Sequence, residues 1–170
     1  MALLLDSWTS PDGTPVRIRP ITAADFELEF EFVRGLSPVT GYQRLLSGRR
    51  LSRAEIERFA NVDGECEVAL IATVELEGRE RQVGVARFVR EDCGDSAEFA
   101  LVIADEWQGR GLGRRLLRLL VDEARSRGLR RLHGETLSDN AAMIGLARHL
   151  GFEIAHSPAM ASITNVTVTL

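Results

Sequence analysis

The sequence predicts a mixed α/β (α+β) fold, with one central sheet of about six to seven strands and helices on both faces. Three observations carry that reading. Short runs such as "QVGVARFVR" and "ITNVTVTL" alternate apolar with other residues at the period of a strand. Leu112, Leu116 and Leu120 form an i, i+4 row with Leu117, Val121 and Ala124 beside it, opposite Arg114, Arg118, Asp122 and Arg125. The two kinds of signal interleave along the chain, which suits helices packed around one sheet.

The elements follow in order. "VRIRP" (16–20) reads as a strand that stops at proline, and Thr22 with Asp25 begins a helix ending at Gly35. "SPVTGYQRLL" and "SRAEIERFA" suggest two short helices, the second opened by Ser52 with Glu55 at the capping-box position. "CEVALIATVEL" (66–76) and "QVGVARFVR" (82–90) read as a hairpin turning at 77–81, and "SAEFALVIA" (96–104) as a third strand. A helix from about Gly111 to Arg127 ends at Gly128, "RRLHGETL" returns as a strand, and "SDNAAMIGLARHL" is a helix closed by Gly151. "FEIAH" and "ITNVTVTL" supply the last strands.

At 170 residues the chain suits one core, so 1–170 reads as a single domain with 1–14 a short, poorly ordered leader. A net charge of −4 gives no general attraction to nucleic acid or membrane, and no apolar run approaches a membrane span. Two cysteines, Cys66 and Cys93, cannot build a disulfide framework; they are expected as thiols in a reduced, cytoplasmic setting. All 21 basic residues are arginine.

The stretch with the most chemical content is "WQGRGLGRRLL" (107–117). A helix start leaves about four backbone N–H groups without partners and carries roughly half a positive charge. Serine, threonine, aspartate or asparagine usually caps it. Here "QGRGLG" supplies no such cap, while its glycines let a ligand reach the backbone without meeting a Cβ. Arg110, Arg114 and Arg115 add charge, and Gln108 adds an amide. That combination describes a phosphate cradle. A Walker A loop is excluded by the missing lysine. A dinucleotide fingerprint fails because its third glycine would fall at Arg114. The pattern left is Q-x-x-G-x-G, met by Gln108, Gly111 and Gly113.

On these residues, with "DN…A…LARHLGF" (139–152) and the element order, the chain resembles the GNAT superfamily of N-acetyltransferases from about Asp12 to Phe152. More narrowly, "DGTPVRIRPI", "FVRGLSP", "AEFALVIADEWQGRGLG" and "ARHLGF" resemble the catalytic domain of Pat-type protein lysine acetyltransferases. The resemblance implies acetyl-CoA as co-substrate and no metal. It implies that the strand before the loop splays and offers backbone groups of Leu101, Val102 and Ile103 to the pantetheine arm. Gln108 and the backbone of Gly109, Arg110, Gly111, Leu112, Gly113 and Arg114 would hold the pyrophosphate. Asn140 would reach the pantetheine or serve as a plain helix cap.

A lysine amine with a pKa near 10.4 needs roughly 4.6 kcal/mol to lose its proton at pH 7, so a base is worth having. Strand alternation places Ser96, Glu98, Ala100 and Val102 on one face. Glu98 is therefore an acid in an otherwise apolar strand, and the resemblance implies a catalytic glutamate at this place. Glu98 is assigned as general base, with Glu135 as its rival on the neighbouring strand. His133, His149 and His156 lack triad or metal-ligand spacing. Many relatives carry a tyrosine in the helix before "LGF" to protonate the leaving thiolate; this chain has Ala147 there, and its only tyrosine is Tyr42. A thiol pKa near 8.5 makes the thiolate only about 2 kcal/mol uphill at pH 7, so water can serve.

The expected function is transfer of an acetyl group from acetyl-CoA to a lysine amine of a protein, such as an acyl-CoA synthetase, by a monomer or homodimer. Two alternatives stand beside it: a small-molecule amine or protein N-terminus as acceptor, and a CoA-binding sensor without turnover.

Overall fold

Trp8 on the leader lies against the glycine loop a hundred residues away, which makes the leader part of the fold. In the computed structural model, which describes residues 4–170, Asp6–Thr9 forms an edge strand, β1, in register with Pro15–Pro20, β2. The expectation of a poorly ordered leader is corrected for these residues; 1–3 lie outside the described residues. Ion pairs hold β1 and the turn after it in place, Asp6 of the strand to Arg115 and Asp12 of the turn to Arg110.

Among the described residues the sheet has eight strands in the order β1-β2-β3-β4-β5-β6-β8-β7, one more than the sequence suggests, the addition being β1. The others are β3 (Glu67–Leu76), β4 (Arg79–Arg90), β5 (Ser96–Ile103), β6 (Arg131–Leu137), β7 (Glu153–His156) and β8 (Ile163–Thr169). β5 and β6 run parallel, and every other neighbouring pair is antiparallel. The β3–β4 turn is tighter than the sequence suggests. Glu77 and Gly78 both have positive φ, 51° and 73°, so two residues close the hairpin and β4 begins at Arg79.

Five α-helices complete the described chain: α1 (Phe26–Gly35), α2 (Pro38–Leu45), α3 (Arg53–Ala60), α4 (Leu112–Ser126) and α5 (Ala141–His149). The Ser52 capping box forms as expected, with Glu55 N–H donating to Ser52 Oγ at 3.2 Å and Ser52 N–H to Glu55 Oε2 at 2.8 Å. α4 buries Leu112, Leu116, Leu117, Leu120 and Ala124 and leaves Arg114, Arg118, Asp122 and Arg125 in solvent. Gly84 sits beneath it: a Cβ there would come within 2.9 Å of Leu116 and 3.0 Å of Ile103. Gln82 and Arg87, on the opposite face of β4, meet Glu29 of α1 and Phe59 of α3. Helices thus cover both faces, as predicted. No described helix is long and apolar enough to cross a membrane.

The two cysteines are paired. Cys66 precedes β3 and Cys93 follows β4, and the register Glu67↔Val89 brings these ends together, with the Cα atoms 5.2 Å apart and a disulfide between them. The expectation of unpaired thiols is corrected. Twenty-seven residues separate the two positions in sequence, and only the hairpin register makes them neighbours.

Candidate active site

Strands β5 and β6 part company halfway along. They pair at Ser96–Arg131, Ala97–Leu132 and Glu98–His133, and no further, whereas β5 stays paired with β4 as far as Ile103. Gly134 stands at the fork. A Cβ on it would lie 3.0 Å from both the carbonyl oxygen and the ring of Phe99, so only glycine lets β6 pass at this distance. Ala104 N–H donates to Val83 O, and Val102 is in register with Val85. The alternation of an antiparallel ladder then turns the main-chain groups of Val102 towards β4 and those of Leu101 and Ile103 towards the opening.

The fork leads to the glycine loop. Asp105–Trp107 makes a single 3-10 turn, Gly109 and Gly111 adopt φ of 72° and 93°, and α4 begins at Leu112 with Gly111 as an N-cap that offers no side chain. The backbone N–H groups of Gly109, Arg110, Gly111, Leu112, Gly113 and Arg114 donate to no protein acceptor among the described residues; the first such bond in the helix is Arg115 N–H to Gly111 O. Six consecutive donors at the positive end of a helix are an arrangement with the donors and the polarity to accept an anion.

The side chains around the loop are arranged differently from the sequence expectation. Arg110 binds Asp12 at 2.6 Å and stacks over Trp107 at 4.6 Å, and Arg115 is held by Asp6. Ser10, then Thr14 and finally Arg110 hold the Asp12 carboxyl well below its usual range. Arg114 is exposed, has no ion pair among the described residues and lines the cleft. Gln108 turns inward, its Nε2 donating to Ile103 O at 3.0 Å and Thr40 Oγ1 at 3.2 Å. It ties the loop to β5 and α2, which leaves the main-chain N–H groups as the loop's unpartnered donors. Asp105 completes that tie by accepting from Ser37 N–H, Ser37 Oγ and Thr40 Oγ1 at 2.9, 2.6 and 2.7 Å.

A cleft of about 520 Å³ runs from the loop through the fork. Glu98, Leu101, Val102, Ile103, Gln108, Gly109, Gly111, Gly113, Arg114, Glu135 and Asn140 all line it. Those eleven include both candidate bases. Glu98 and Glu135 lie on opposite arms of the fork, both exposed; Glu98 is in register with His133, two residues before Glu135. His133 is occupied by Glu91, 2.8 Å away, while His149 and His156 are exposed and do not line the cleft. Asn140 caps α5 by accepting from Met143 N–H at 3.2 Å and donates to Thr136 Oγ1 at 3.2 Å. Ala147 is fully buried; the α5 residues that line the cleft are Ala142, Met143 and Leu146.

Sequence reasoning missed Thr40, Asp105 and Gly134. Nothing in the chain near Thr40 or Gly134 signals a role, because each acts on an element far away in sequence.

Comparison with known proteins decides the family. The model of the acetyltransferase (GNAT) family matches residues 40–152. The chain belongs to the GNAT family. It is 35% identical over 119 residues to Acetyltransferase PA5475 of Pseudomonas aeruginosa, covering 68% of this chain and 64% of that protein. It is 33% identical over 105 residues to Acetyltransferase Pat of Mycolicibacterium smegmatis, covering 61% of this chain and 31% of that protein. The chain thus spans less than two thirds of either relative. Among solved structures, the GNAT domain of S. lividans PAT matches with a TM-score of 0.85 and 30% identity over 97% of this chain and 96% of that one.

Proposed function

We propose that this protein transfers an acetyl group from acetyl-CoA to a lysine amine of a protein substrate, with Glu98 as general base. The observation that carries the proposal is the run of six unpartnered N–H groups from Gly109 to Arg114 at the mouth of the β5–β6 fork. A diphosphate suits such a run of donors, and a long amide-bearing arm suits a fork with one open strand edge. The likeness to the S. lividans PAT domain and to mycobacterial Pat supports a protein lysine as acceptor.

In this reading the main chain from Gly109 to Arg114 holds the pyrophosphate, with Arg114 the free guanidinium beside it. Leu101 and Ile103 extend the β5 edge along the pantetheine arm, and the Ile103 carbonyl is already shared with Gln108. Val102 supports the arm through its side of the ladder and has no main-chain group to offer it. Asn140 fixes the start of α5 against β6. Glu98, at the point where β5 and β6 part, takes the proton from the attacking amine directly or through water. The neutral nitrogen then attacks the thioester carbon, gives up its second proton to water as the C–S bond breaks, and water returns a proton to the thiolate. The thiolate is the cheaper of the two charged species at neutral pH, so the cleft manages without a tyrosine on α5.

The test has two stages. Calorimetry with acetyl-CoA should show binding, and its absence removes the cradle. Thiol release is then measured with lysine-containing protein acceptors and with small amines. Release with proteins supports the proposal; release with small amines alone replaces the acceptor; none with either leaves a CoA-binding protein without turnover.

A further inference from the structure

Behind the cleft lies a polar cluster that the transfer reaction does not use. Glu29 of α1 is fully buried. It is bound by Arg44 Nη2 at 3.0 Å and Gln82 Nε2 at 2.5 Å, and Arg87 Nη2 lies 3.5 Å away. Both guanidinium groups stack on Phe59, at 5.3 and 4.6 Å, and Arg87 Nη1 donates to Phe59 O at 3.3 Å. The Arg44 and Arg87 side chains are only 7% and 14% exposed. Two cations therefore share one carboxylate. The next acid, Glu67, is engaged by Arg58 at 3.3 Å.

The donors are unbalanced as well as the charge. Arg44 Nη1, Arg87 Nε and Arg87 Nη2 are buried and donate to no acceptor among the described residues. Buried guanidinium groups are ordinarily paired and saturated, because each unmet donor forfeits the water it gave up. Burial, with Arg44 as a like-charged neighbour, pulls the Arg87 pKa down to about 10 against the opposing pull of Glu29. Arg44 lines the cleft, and so does Ala100, the register partner of Arg87 on β5. Arg44 thus reaches the cleft itself, while Arg87 stands behind it on the strand beside Ala100.

We propose that Arg44 and Arg87 form a subsite for a carboxylate carried by one of the two substrates. A planar carboxylate matches the guanidinium fork and supplies the missing acceptors and the missing charge together. This rests on the transferase reading above and specifies its substrate class. The carboxylate has two possible sources: the far end of the acyl chain, as in a succinyl thioester, or the acceptor, beside its amine.

The experiment has one arm for each source and uses thiol release by the full chain. In the donor arm, acetyl-CoA is compared with succinyl-CoA on one acceptor. In the acceptor arm, acetyl-CoA is used with lysine peptides that differ only in a glutamate or a glutamine flanking the lysine. The expected result is a preference in kcat/KM of about tenfold or more for the carboxylate in one arm. Arg44→Gln and Arg87→Gln should each bring that ratio towards one, whatever they do to the overall rate. Ratios within about twofold of one in both arms for the unaltered protein overturn the subsite while the transferase reading stands. Absence of thiol release with either donor on any of the acceptors overturns both. Because the ratio is read first on the unaltered protein, a variant that fails to fold does not blunt the test.

Discussion

The Thr40 hydroxyl donates to the Asp105 carboxylate at 2.7 Å, joining α2 to the turn that opens the glycine loop across 65 residues of chain. Ser37 donates to the same carboxylate twice, so Asp105 caps α2 from outside the helix. The wall of the cleft and the glycine loop are thereby one mechanical unit. Asp105→Asn removes one acceptor oxygen and should destabilise the protein by about 1–2 kcal/mol, measured by urea unfolding.

The same residue predicts an acid sensitivity. Burial alone would raise the Asp105 pKa, but the Ser37 hydroxyl and N–H and the Thr40 hydroxyl outweigh it and hold the carboxyl below its ordinary value. A depressed folded pKa contributes stability above the unfolded value near 3.8, and that stability is lost as pH falls through the folded value. Thermal melts below about pH 4 should therefore fall more steeply for the unaltered protein than for Asp105→Asn. Parallel slopes would show that the carboxylate is not charged in this contact.

Gly134→Ala tests the fork. The added methyl meets a backbone oxygen and a ring at 3.0 Å, and neither can swing aside as a flexible side chain would. The expected cost is about 1–3 kcal/mol of stability together with weaker acetyl-CoA binding, read by melting and calorimetry. Gly111→Ala tests the loop separately. Space is available there, with Trp8 3.8 Å away, but φ of 93° strains any Cβ. Binding should weaken by about tenfold while the melt shifts by only a few degrees.

Glu98 and Glu135 are separated by paired variants. Glu98→Gln should lower kcat/KM by about 10²-fold or more, and Glu135→Gln by about threefold or less. Stopped assays across pH 6–9 check both, and the reverse order would exchange their roles.

Reduction tests the Cys66–Cys93 bond. Closing a loop of this length restricts the unfolded chain by an amount worth about 3–4 kcal/mol. The oxidised protein should melt higher than the reduced one, and intact mass should differ by the two hydrogens of the thiols. Identical melts, or two free thiols without reductant, would contradict the pairing.

Much of this molecule was legible before any coordinates. Helix caps, turn residues and apolar periodicity together located the five helices and seven of the eight strands, because each is a local demand set by residues a few positions apart. The Q-x-x-G-x-G loop was legible for a similar reason: an uncapped helix start and its glycines are neighbours in sequence. The β1 strand was not. Its four residues have little character of their own, and they are placed by pairing with β2 and by Arg115, which lies beyond the middle of the chain. The place of Gln108 in the motif suggests a phosphate ligand, yet its Nε2 is engaged by Thr40 and Ile103, which no local pattern shows.

The sequence by itself determined the regular elements other than β1, the bare amides of the glycine loop and the presence of an acid on the strand before it. Each of these depends on residues a few positions apart, whose relation covalent geometry already sets. The tertiary structure decided where β5 and β6 separate, which arginines are spent on carboxylates and which remain free, and that Cys66 meets Cys93. Those outcomes depend on strand register and on contacts between distant segments, where a shift of one residue exchanges every neighbour.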